Sequence, residues 1–415
     1  MKKGWQTKPL CDLCEVFADG DWVESKDQSA DGVRWIQTGN VGEGVFKDRA
    51  EKARYISEAT FKRLRCTEIF EGDCLVSRLP DPVGRSCILP ETGERMITAV
   101  DCTIVRVKPD QLLPTFFNLY SQSDDYLGTV AKECPGTTRN RISRSNLALT
   151  PIPVPLLDEQ QRIVGLLDEA FAGLATAQAH AEKNHQNARA LFESHLQSVF
   201  TQRGKGWVEK PFEELIESNV IGLTKGSRDQ GEDNAWPYVK MNNITRDNGF
   251  DFSRFTCVDA TDEEVSKFSL RDGDFLFNTR NSYELVGKSR IYESDSNDAV
   301  LFNNNIMRVR FRSGVDARFV LLAFSSKAVA DELNGLKSGT TNVSAIYFKD
   351  LKSLIIPLPP IAAQKAIAEK LDALSEETQR LAHLYERKLA ALEALKKSLL
   401  HQAFRGELGV TTLLS

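Results

Sequence analysis

The sequence predicts an α+β protein in which two similar mixed α/β domains are joined by two long antiparallel coiled-coil helices, with an internal pseudo-two-fold repeat. Two observations predict this class. Short motifs return in the same order at an offset of 201 to 204 residues, and two long proline-free segments show a seven-residue apolar periodicity. A chain of 415 residues is long enough for two or three domains.

The repeat spans nearly the whole chain. Gly4-Trp5-x-x-Lys8-Pro9 returns as Gly206-Trp207-x-x-Lys210-Pro211. Further pairs lie between these and the chain end: Trp35-Ile36 with Tyr238-Val239, Gly72-Asp73-x-Leu75 with Gly273-Asp274-x-Leu276, Val83-Gly84-Arg85-Ser86 with Val286-Gly287-Lys288-Ser289, Ile104-Val105-Arg106-Val107 with Ile306-Met307-Arg308-Val309, and Gly136-Thr137-Thr138 with Gly339-Thr340-Thr341. So many ordered matches at nearly one spacing indicate a duplication.

Each half begins with a mixed domain. We assign residues 1–151 and 201–355 as the two domains, because short β-rich runs such as 103–107 and 306–311 alternate there with Gly-Asp turns and Asn-rich loops. A Pro-rich entry and a spacer helix follow each domain, over residues 152–200 and 356–408. Residues 409–415 form a C-terminal tail.

The Pro-rich entries predict where the helices begin. Two alternating prolines, as in Ile152-Pro153-Val154-Pro155 and Ile356-Pro357-Leu358-Pro359, cannot lie inside a helix, so each entry is extended. Helices are expected from Asp158 to Phe200 and from Ala362 to Phe404. The first stripe comprises Ile163, Leu167, Ala170, Leu174, Ala177, Ala181, Asn184, Ala188 and Leu191, and the second Ile367, Leu371, Leu374, Thr378, Leu381, Tyr385, Lys388, Leu392, Leu395 and Leu399.

Helices of this length extend about 65 Å. An antiparallel pair would return the chain to the first domain and leave one domain near each end of a rod. A parallel pair, which needs a return crossing of the same length through the second domain, stays an alternative.

Composition limits the function classes. The net charge of −5 excludes a protein that coats DNA through overall positive charge, so any DNA contact must come from local basic clusters. No apolar run approaches the roughly 18 residues that span a bilayer, and no apolar segment follows the first lysines, so we expect a cytoplasmic protein without membrane contact. Eight cysteines are expected as free thiols, and Cys11-x-x-Cys14 lacks a second ligand pair, so no metal site is predicted.

Two similar domains at a fixed separation suit B-DNA, whose major-groove faces recur every 34–36 Å or so. Candidate contacts cluster in loops where arginine, lysine, threonine and asparagine side chains can bind base edges or phosphates. The candidates are Arg78, Arg85, Thr137, Thr138, Arg139, Asn140, Arg141 and Arg144 in the first domain, and Lys225, Arg228, Arg280, Asn281, Lys288, Thr340, Thr341 and Asn342 in the second. Since the domains differ more than the helices, they are expected to read different sequences.

The segments Pro153-Val154-Pro155-Leu156-Leu157-x-x-Gln160-x-x-Ile163 and Pro357-Leu358-Pro359-Pro360-Ile361-x-x-Gln364-x-x-Ile367 resemble those of specificity subunits of type I restriction–modification systems. The ending Ser398-Leu399-Leu400-x-Gln402-Ala403-Phe404-Arg405-Gly406-Glu407-Leu408 is similar to the same family. The likeness runs from Trp5 to Leu408 and departs where Asp158-Glu159 is replaced by Ala362-Ala363.

The resemblance implies that each domain reads one half of a bipartite site in double-stranded DNA, and that the helices are both spacer and docking surface. Two methyltransferase subunits and the restriction/translocase subunits would be the partners; S-adenosylmethionine, ATP and Mg would belong to them, with no cofactor on this chain. Spacer and docking candidates are Gln160, Ile163, Leu167, Leu174, Gln364, Ile367, Leu371, Leu381, Leu392 and Leu399.

The residues themselves do not predict an enzyme. Neither an Asn/Asp-Pro-Pro-aromatic segment nor a glycine-rich cofactor loop is present, and Gly287-Lys288-Ser289 has Ser282 where a phosphate loop needs glycine. All five histidines lie in the helical segments. We therefore predict no catalytic residue. A coiled-coil scaffold with two protein-binding end domains stays the alternative from another functional class.

Overall fold

The computed structural model describes residues 4–134, 140–244, 250–251, 256–294, 298–340 and 342–408. The chain divides into two compact units: unit one is 1–183 with 385–415, and unit two is 184–384. Each unit therefore contains one mixed domain and one half of each long helix.

Unit one carries the first domain and the start of the first long helix. Its strands are β1 Gln6–Pro9, β2 Cys14–Asp19, β3 Gln28–Ser29, β4 Val33–Ile36, β5 Tyr55–Ile56, β6 Cys74–Ser77, β7 Ser86–Ile88, β8 Met96–Thr98, β9 Cys102–Val107 and β10 Pro151–Val154. Its helices are α1 Glu58–Leu64, α2 Pro114–Tyr120, α3 Asp124–Lys132, α4 Arg144–Ala148 and α5 Leu157–Thr201, of which α5 continues into unit two.

Unit two repeats this order. Its strands are β11 Val208–Pro211, β12 Ile216–Ile221, β13 Gln230–Gly231, β14 Trp236–Val239, β15 Thr256–Val258, β16 Phe275–Asn278, β17 Arg280–Asn281, β18 Ser289–Ile291, β19 Leu301–Phe302, β20 Ile306–Phe311, β21 Ser338–Gly339, β22 Ser344–Ala345 and β23 Ile355–Leu358. Its helices are α6 Phe212–Leu215, α7 Asp262–Phe268, α8 Ala317–Ser325, α9 Lys327–Gly335, α10 Phe348–Leu351 and α11 Ile361–Arg405, which continues into unit one.

The sheets have the same topology in both units. Four strands form an antiparallel sheet in the order β2-β9-β6-β7, matched by β12-β20-β16-β18. A second sheet, β3-β5-β4-β8, contains one parallel pair and is matched by β13-β15-β14-β19. The Gly-Trp-x-x-Lys-Pro strand pairs with the Pro-rich entry as β1-β10 and again as β11-β23. The predicted duplication and mixed fold class are confirmed.

The repeated Gly-Asp motif is a turn that both units build alike. Gly72 and Gly273 have φ of 84° and 83°, in the left-handed region that favours glycine. Asp73 then accepts two hydrogen bonds from Arg106, at 2.8 and 2.7 Å, and Asp274 accepts two from Arg310, at 2.6 and 3.0 Å. The aspartate therefore joins the turn to the central strand of the sheet.

This pairing corrects one match of the sequence repeat. Arg106 of β9 corresponds to Arg310, not to Arg308, because Cys74 pairs with Val105 while Phe275 pairs with Val309. The predicted match of 104–107 with 306–309 was wrong by two residues. An alternating apolar and arginine pattern looks the same after a shift of two, so only strand pairing fixes the register.

The Pro-rich entries are extended, as predicted, and a 45-residue helix follows each of them. In unit one, Leu399, Leu400 and Phe404 near the end of α11 share a core with Ile163 and Leu167 near the start of α5. In unit two, Leu196 and Phe200 near the end of α5 share a core with Leu371 of α11. Within each unit the helix halves therefore run antiparallel.

The observed apolar stripes deviate from the predicted ones at four positions. Leu191 is 51% exposed and Leu395 is 46% exposed, and Asn184 and Lys388 are exposed as well. Phe192 is instead packed on the core of unit two, whereas Leu392 of the predicted second stripe does pack on the core of unit one. A repeat of 3.5 residues drifts against the 3.6 residues of a helical turn, which moves the stripe by one position over such lengths.

Candidate nucleic-acid interface

The matched basic residues Arg85 and Lys288 anchor the same loop in both domains. Arg85 donates from Nε to the carbonyl of Val41 at 2.7 Å and from Nη2 to Thr38 at 3.0 Å. Lys288 donates from Nζ to the carbonyl of Ile244 at 2.8 Å. Val41 and Ile244 close equivalent turns, so this basic position holds the turn in place. Burial lowers the pKa of Arg85, and its donors are used inside the domain.

A second shared contact brings the two predicted loops of each domain together. In unit one, the N–H of Ile142 donates to the carbonyl of Arg78 at 3.3 Å. In unit two, the N–H of Ile346 donates to the carbonyl of Thr279 at 3.0 Å. In the first domain, the loop after β6 therefore lies beside the loop that leads to Ile142, although 64 residues separate Arg78 from Ile142 in the sequence. In the second domain, the loop after β16 lies in the same way beside the segment at Ile346.

In the first domain this junction carries a cluster of arginines, which we call the arginine surface and define by Asn140, Arg141 and Arg144. The Arg141 side chain is 47% exposed and lies 2.7 Å from Asp101, and that of Arg144 is 51% exposed. Beneath them Arg78 is buried and donates to the carbonyl of Val100 at 2.6 Å. Burial is the main cause that lowers the pKa of Arg78. Arg78 therefore lies beneath the arginine surface and uses its hydrogen-bond donors inside the domain.

In the second domain the junction is a three-stranded sheet in the order β17-β22-β21. Arg280 pairs with Ala345 and Asn281 with Ser344, and β22 pairs with β21 across the turn that holds Thr340 and Asn342. Four of the predicted residues are thereby brought to one small sheet. Arg280, Thr340 and Asn342 are exposed there.

Aromatic and basic side chains flank this sheet. Tyr283 is 46% exposed, and Nζ of Lys337 lies 4.8 Å from its ring centre and donates to its carbonyl at 2.8 Å. Tyr347 is 47% exposed, with Nζ of Lys349 at 5.7 Å. In the described part of the chain no carboxylate pairs with Arg280, Lys337 or Lys349. We call this the hairpin surface and define it by Arg280, Tyr283, Lys337, Thr340, Asn342, Tyr347 and Lys349.

The remaining candidates lie elsewhere or outside the described residues. Lys225 is bound to Glu264 at 3.2 Å, and Arg228 is exposed on the short 3₁₀ turn Ser227–Asp229. Thr137, Thr138, Arg139 and Thr341 lie outside the described residues. The structure thus brings together Asn140, Arg141 and Arg144 in one domain and Arg280, Asn281, Thr340 and Asn342 in the other.

Comparison with known proteins identifies the fold and the family. A profile of the type I restriction modification DNA specificity domain matches residues 2–183 and again 204–388. The chain belongs to this family. The profile fits once to each half, in agreement with the repeat, and sequence-specific DNA recognition in a type I restriction–modification system is the function that the resemblance predicted.

Named relatives of this specificity-subunit family share low identity over most of the chain. The EcoKI specificity subunit of Escherichia coli K12 is 23% identical over 320 residues, covering 74% of this chain and 68% of its own length. The StySPI specificity subunit of Salmonella potsdam is 23% identical, covering 73% and 67%.

Solved structures show the same fold. The HsdS subunit of Thermoanaerobacter tengcongensis aligns with a TM-score of 0.66 at 20% identity, over 98% of both chains. A chain from a study of assembly and conformational transition in the type I R-M system reaches a TM-score of 0.78 at 19% identity, over 98% of this chain and 99% of that one.

In this specificity subunit the helix candidates have structural contacts within their own units. Gln160 and Gln364 are buried, and each side chain accepts a backbone N–H, from Leu113 at 2.9 Å or from Asp316 at 2.8 Å. Each Nε2 donates to two carbonyls, one of them in the Pro-rich entry, Pro155 or Pro359. The glutamine of the family motif therefore fixes the helix start to its domain.

The apolar helix candidates lie mostly in the cores. Ile163, Leu167, Leu174, Leu371 and Leu399 are buried, and Ile367, Leu381 and Leu392 are half-buried. Their packing within each unit explains the sequence periodicity. Docking of a partner on these side chains stays a prediction.

Sequence reasoning missed the aromatic part of the hairpin surface. Tyr283 and Tyr347 lie two positions from Asn281 and Lys349, and such aromatic residues between basic and amide residues were the available signal. In the described residues, no group of three or more His, Cys, Asp or Glu side chains is placed to hold a metal ion. None of the described helices is long and apolar enough to cross a membrane.

Proposed function

We propose that this specificity subunit reads an asymmetric bipartite DNA site, with the arginine surface on one half-site and the hairpin surface on the other. The observation that carries this is the shared backbone contact of Ile142 with Arg78 and of Ile346 with Thr279. The same scaffold joins two loops in each domain and presents candidate base-reading side chains at the junction.

The chemistry of the two surfaces differs, which supports unlike half-sites. The strand pairing and loop contacts make Arg141 equivalent to Ala345 and Arg144 equivalent to Phe348. The arginine surface offers guanidinium groups that can donate two hydrogen bonds to guanine O6 and N7. The hairpin surface has one guanidinium group, that of Arg280, beside amide, hydroxyl and ring groups, and its lysines suit phosphates.

Local charge offsets the acidic net charge at the arginine surface. Among the described residues, Arg78, Arg141 and Arg144 form ion pairs with two carboxylates, those of Asp19 and Asp101. This leaves a local excess of one positive charge near half-exposed donors. Such an excess attracts the phosphate backbone and makes binding sensitive to salt.

The methyl-transfer and cleavage chemistry is proposed to belong to partners: two methyltransferase subunits and the restriction/translocase subunits. S-adenosylmethionine, ATP and Mg would be bound there, with this non-catalytic chain carrying no cofactor and acting in the cytoplasm. Leu384 and Leu395 on α11 are 48% and 46% exposed, and Leu191 on α5 is 51% exposed. Exposed leucines of the long helices, and not the buried stripe, are the apolar surface that remains for docking.

The experiment is to map methylated bases in cells that express the system with variant specificity subunits. Arg141→Ala with Arg144→Ala should change or abolish recognition of one half-site, and Arg280→Ala with Asn342→Ala that of the other. Each replaced base contact is expected to lower discrimination by about 1–3 kcal/mol.

Matched controls are exposed, ion-paired lysines of the same domains: Lys26→Ala, which removes a pair with Glu24, and Lys327→Ala, which removes a pair with Asp331. Both should leave the methylated sequence unchanged. If the two double variants affect the same half-site, or neither affects any, the assignment of one surface to each half-site is wrong.

A further inference from the structure

An exposed tryptophan lies on the first domain outside the set of predicted contacts. Trp22 is 70% exposed, more than any other aromatic side chain in the described residues. It follows the bridge between Asp21 and Ala99. Covering a large aromatic side chain with a ligand gains both apolar burial and stacking, so Trp22 is a candidate contact where a polar pocket lies beside it.

Trp22 borders a cavity of about 260 Å³, which we call the tryptophan pocket and define by Asp21, Trp22, Trp35, Gln37, Thr38 and Asp101. Nε1 of Trp35 is buried and has no hydrogen-bond partner there. The volume corresponds to about nine water molecules at roughly 30 Å³ each. A volume of this size is sufficient for one planar aromatic ring system.

The pocket adjoins the arginine surface. Asp101 lines it and is also the residue that pairs with Arg141 at 2.7 Å. The DNA backbone that Arg141 and Arg144 attract would therefore pass beside Trp22. The carboxylates of Asp21 and Asp101 repel phosphate, so the pocket itself is suited to an uncharged base edge and not to the backbone.

The polar lining is rich in acceptors. Asp101 and the side-chain amide oxygen of Gln37 can each accept a hydrogen bond, as can Asp21, whose Oδ2 already accepts the N–H of Thr67 at 3.1 Å. The Thr38 hydroxyl can donate or accept, and Nε1 of Trp35 and the amide nitrogen of Gln37 are donors. An exocyclic amino group is the base feature that acceptors recognise, as in the pairing of acidic side chains with cytosine N4. Adenine, cytosine and guanine carry this group, and thymine does not.

Unit two has no tryptophan at the position equivalent to Trp22. Gly20 and Gly222 make the same hydrogen bond, to Cys102 and Ile306 respectively. Two residues later the first domain has Trp22 and the second has Thr224. The aromatic platform is thus specific to one half-site reader and not part of the common scaffold.

We propose that the tryptophan pocket binds a single base of the half-site read by the first domain, a base with an exocyclic amino group (adenine, cytosine or guanine) stacked on Trp22. The inference rests on the proposed function, because it needs the arginine surface to face DNA. Any base can stack on an aromatic side chain, so the hydrogen-bond acceptors of the pocket determine which base is bound. Trp22 is thereby a specificity-determining residue.

The test uses the full chain purified with the methyltransferase subunit of its host and a duplex that carries the target found by methylation mapping. Trp22→Ala should weaken target binding by about 5- to 150-fold, the range for one lost base–aromatic stack. It should leave binding to random duplex unchanged and flatten the preference at one position that is an adenine, cytosine or guanine in the strand read by the pocket. Trp22→Phe should restore binding to within about threefold.

The matched control is Phe70→Ala, because Phe70 is also an exposed aromatic side chain of the first domain, at 52%, but does not line the pocket. It should bind like the unchanged protein. Thermal unfolding of each variant checks the fold, and an exposed side chain such as Trp22 contributes little to it.

The other outcomes separate the two proposals. If Trp22→Ala binds the target within about twofold while Arg141→Ala with Arg144→Ala binds weakly, the pocket proposal is overturned and the proposed function stands. An equal loss on target and random duplex also overturns it, since Trp22 would then be a general contact. If neither variant weakens binding, both proposals fail.

Discussion

The two units close the end of their helix pair in different ways. The helices α5 and α11 begin at Leu157 and Ile361, so equivalent positions differ by 204. In unit one Leu408 is 3% exposed and packs in the core, and its carbonyl accepts a hydrogen bond from Arg162 at 3.4 Å. Arg162 is in turn held by two bonds to Glu159, at 2.7 and 3.0 Å.

Unit two has small residues at all three of these positions: Gly204, Ala363 and Ala366. They line an open groove of about 520 Å³ in which Trp207 and Ile367 are half-buried. Both units therefore have the glutamine contact, but unit two has Gly204 in place of the leucine that covers the helix ends in unit one. The glutamine of the motif therefore fixes the helix start in both units, whereas the side chain that covers the apolar groove differs between them.

The largest effect is expected from Leu408→Ala. Removing a buried leucine side chain costs about 3 kcal/mol through lost burial and the cavity that remains. Hydrogen exchange should show faster opening of the first turns of α5, where Ile163 and Leu167 lose a neighbour. The control is Gly204→Ala, whose new Cβ would meet only Nε1 of Trp207 at 3.8 Å and should change stability little. Equal effects of the two variants would contradict the described difference.

The glutamine contact is predicted to be equally important in both units. Gln160→Ala and Gln364→Ala each leave a buried N–H and two carbonyls without their partner, which costs about 2 kcal/mol. Urea unfolding and hydrogen exchange at the two helix starts measure this. The exposed neighbours supply controls, Gln161→Ala and Lys365→Ala. A loss of stability in one unit alone would show that the repeated glutamine has different structural roles in the two units.

Much of the fold could be predicted from the sequence, because its strongest signals are local. Alternating prolines exclude a helix, and a long apolar periodicity requires one, so the entries and both helices were predicted within a few residues. The strand register was not: alternation of Val and Arg in β9 and β20 is unchanged by a shift of two. Only the pairing of Cys74 with Val105 and of Phe275 with Val309 decides it.

The interface was harder to predict, since the residue type does not say what surrounds it. Arg78 and Arg85 look like Arg141 in the sequence, yet their guanidinium groups are buried against carbonyls. The hairpin surface depends on strands of two residues, such as β17 and β22, which are too short to leave a periodic pattern. Long-range backbone contacts, and not composition, bring these loops together.

A pH effect should distinguish the two domains. Burial, against opposing hydrogen bonds from Thr67 and Cys66, raises the pKa of Asp21 from 3.8 to about 6. The equivalent residue in the second domain is Leu223, since Asp21 and Leu223 donate to Thr98 and Phe302 in the same way. The folded first domain holds this proton more tightly than the unfolded chain. Its contribution to stability is therefore fully present below about pH 4 and is lost as the pH rises through about 6.

Asp21→Asn should remove this loss and stabilise the first domain at pH 8 by about 1 kcal/mol after solvent screening is allowed for. At pH 4 the variant and the unchanged protein should be alike. Hydrogen exchange in β4 and β8 reports on the first domain, and β14 and β19 of the second should not respond. The exposed Asp31→Asn is the control. A gain that is the same at both pH values would show that charge burial is not its cause.

The smallest expected effect is a gain from covering the open groove of unit two. Ala366→Leu keeps a good helix former and places apolar surface over the groove beside Trp207 and Ile367, which should stabilise unit two by about 0.5 kcal/mol. Ala373→Leu, at an exposed helical position outside the groove, should give no gain. Denaturant midpoints of the two variants measure the difference. Because leucine and alanine have similar helix propensities, a gain confined to Ala366→Leu would come from the groove that Leu408 fills in the other unit.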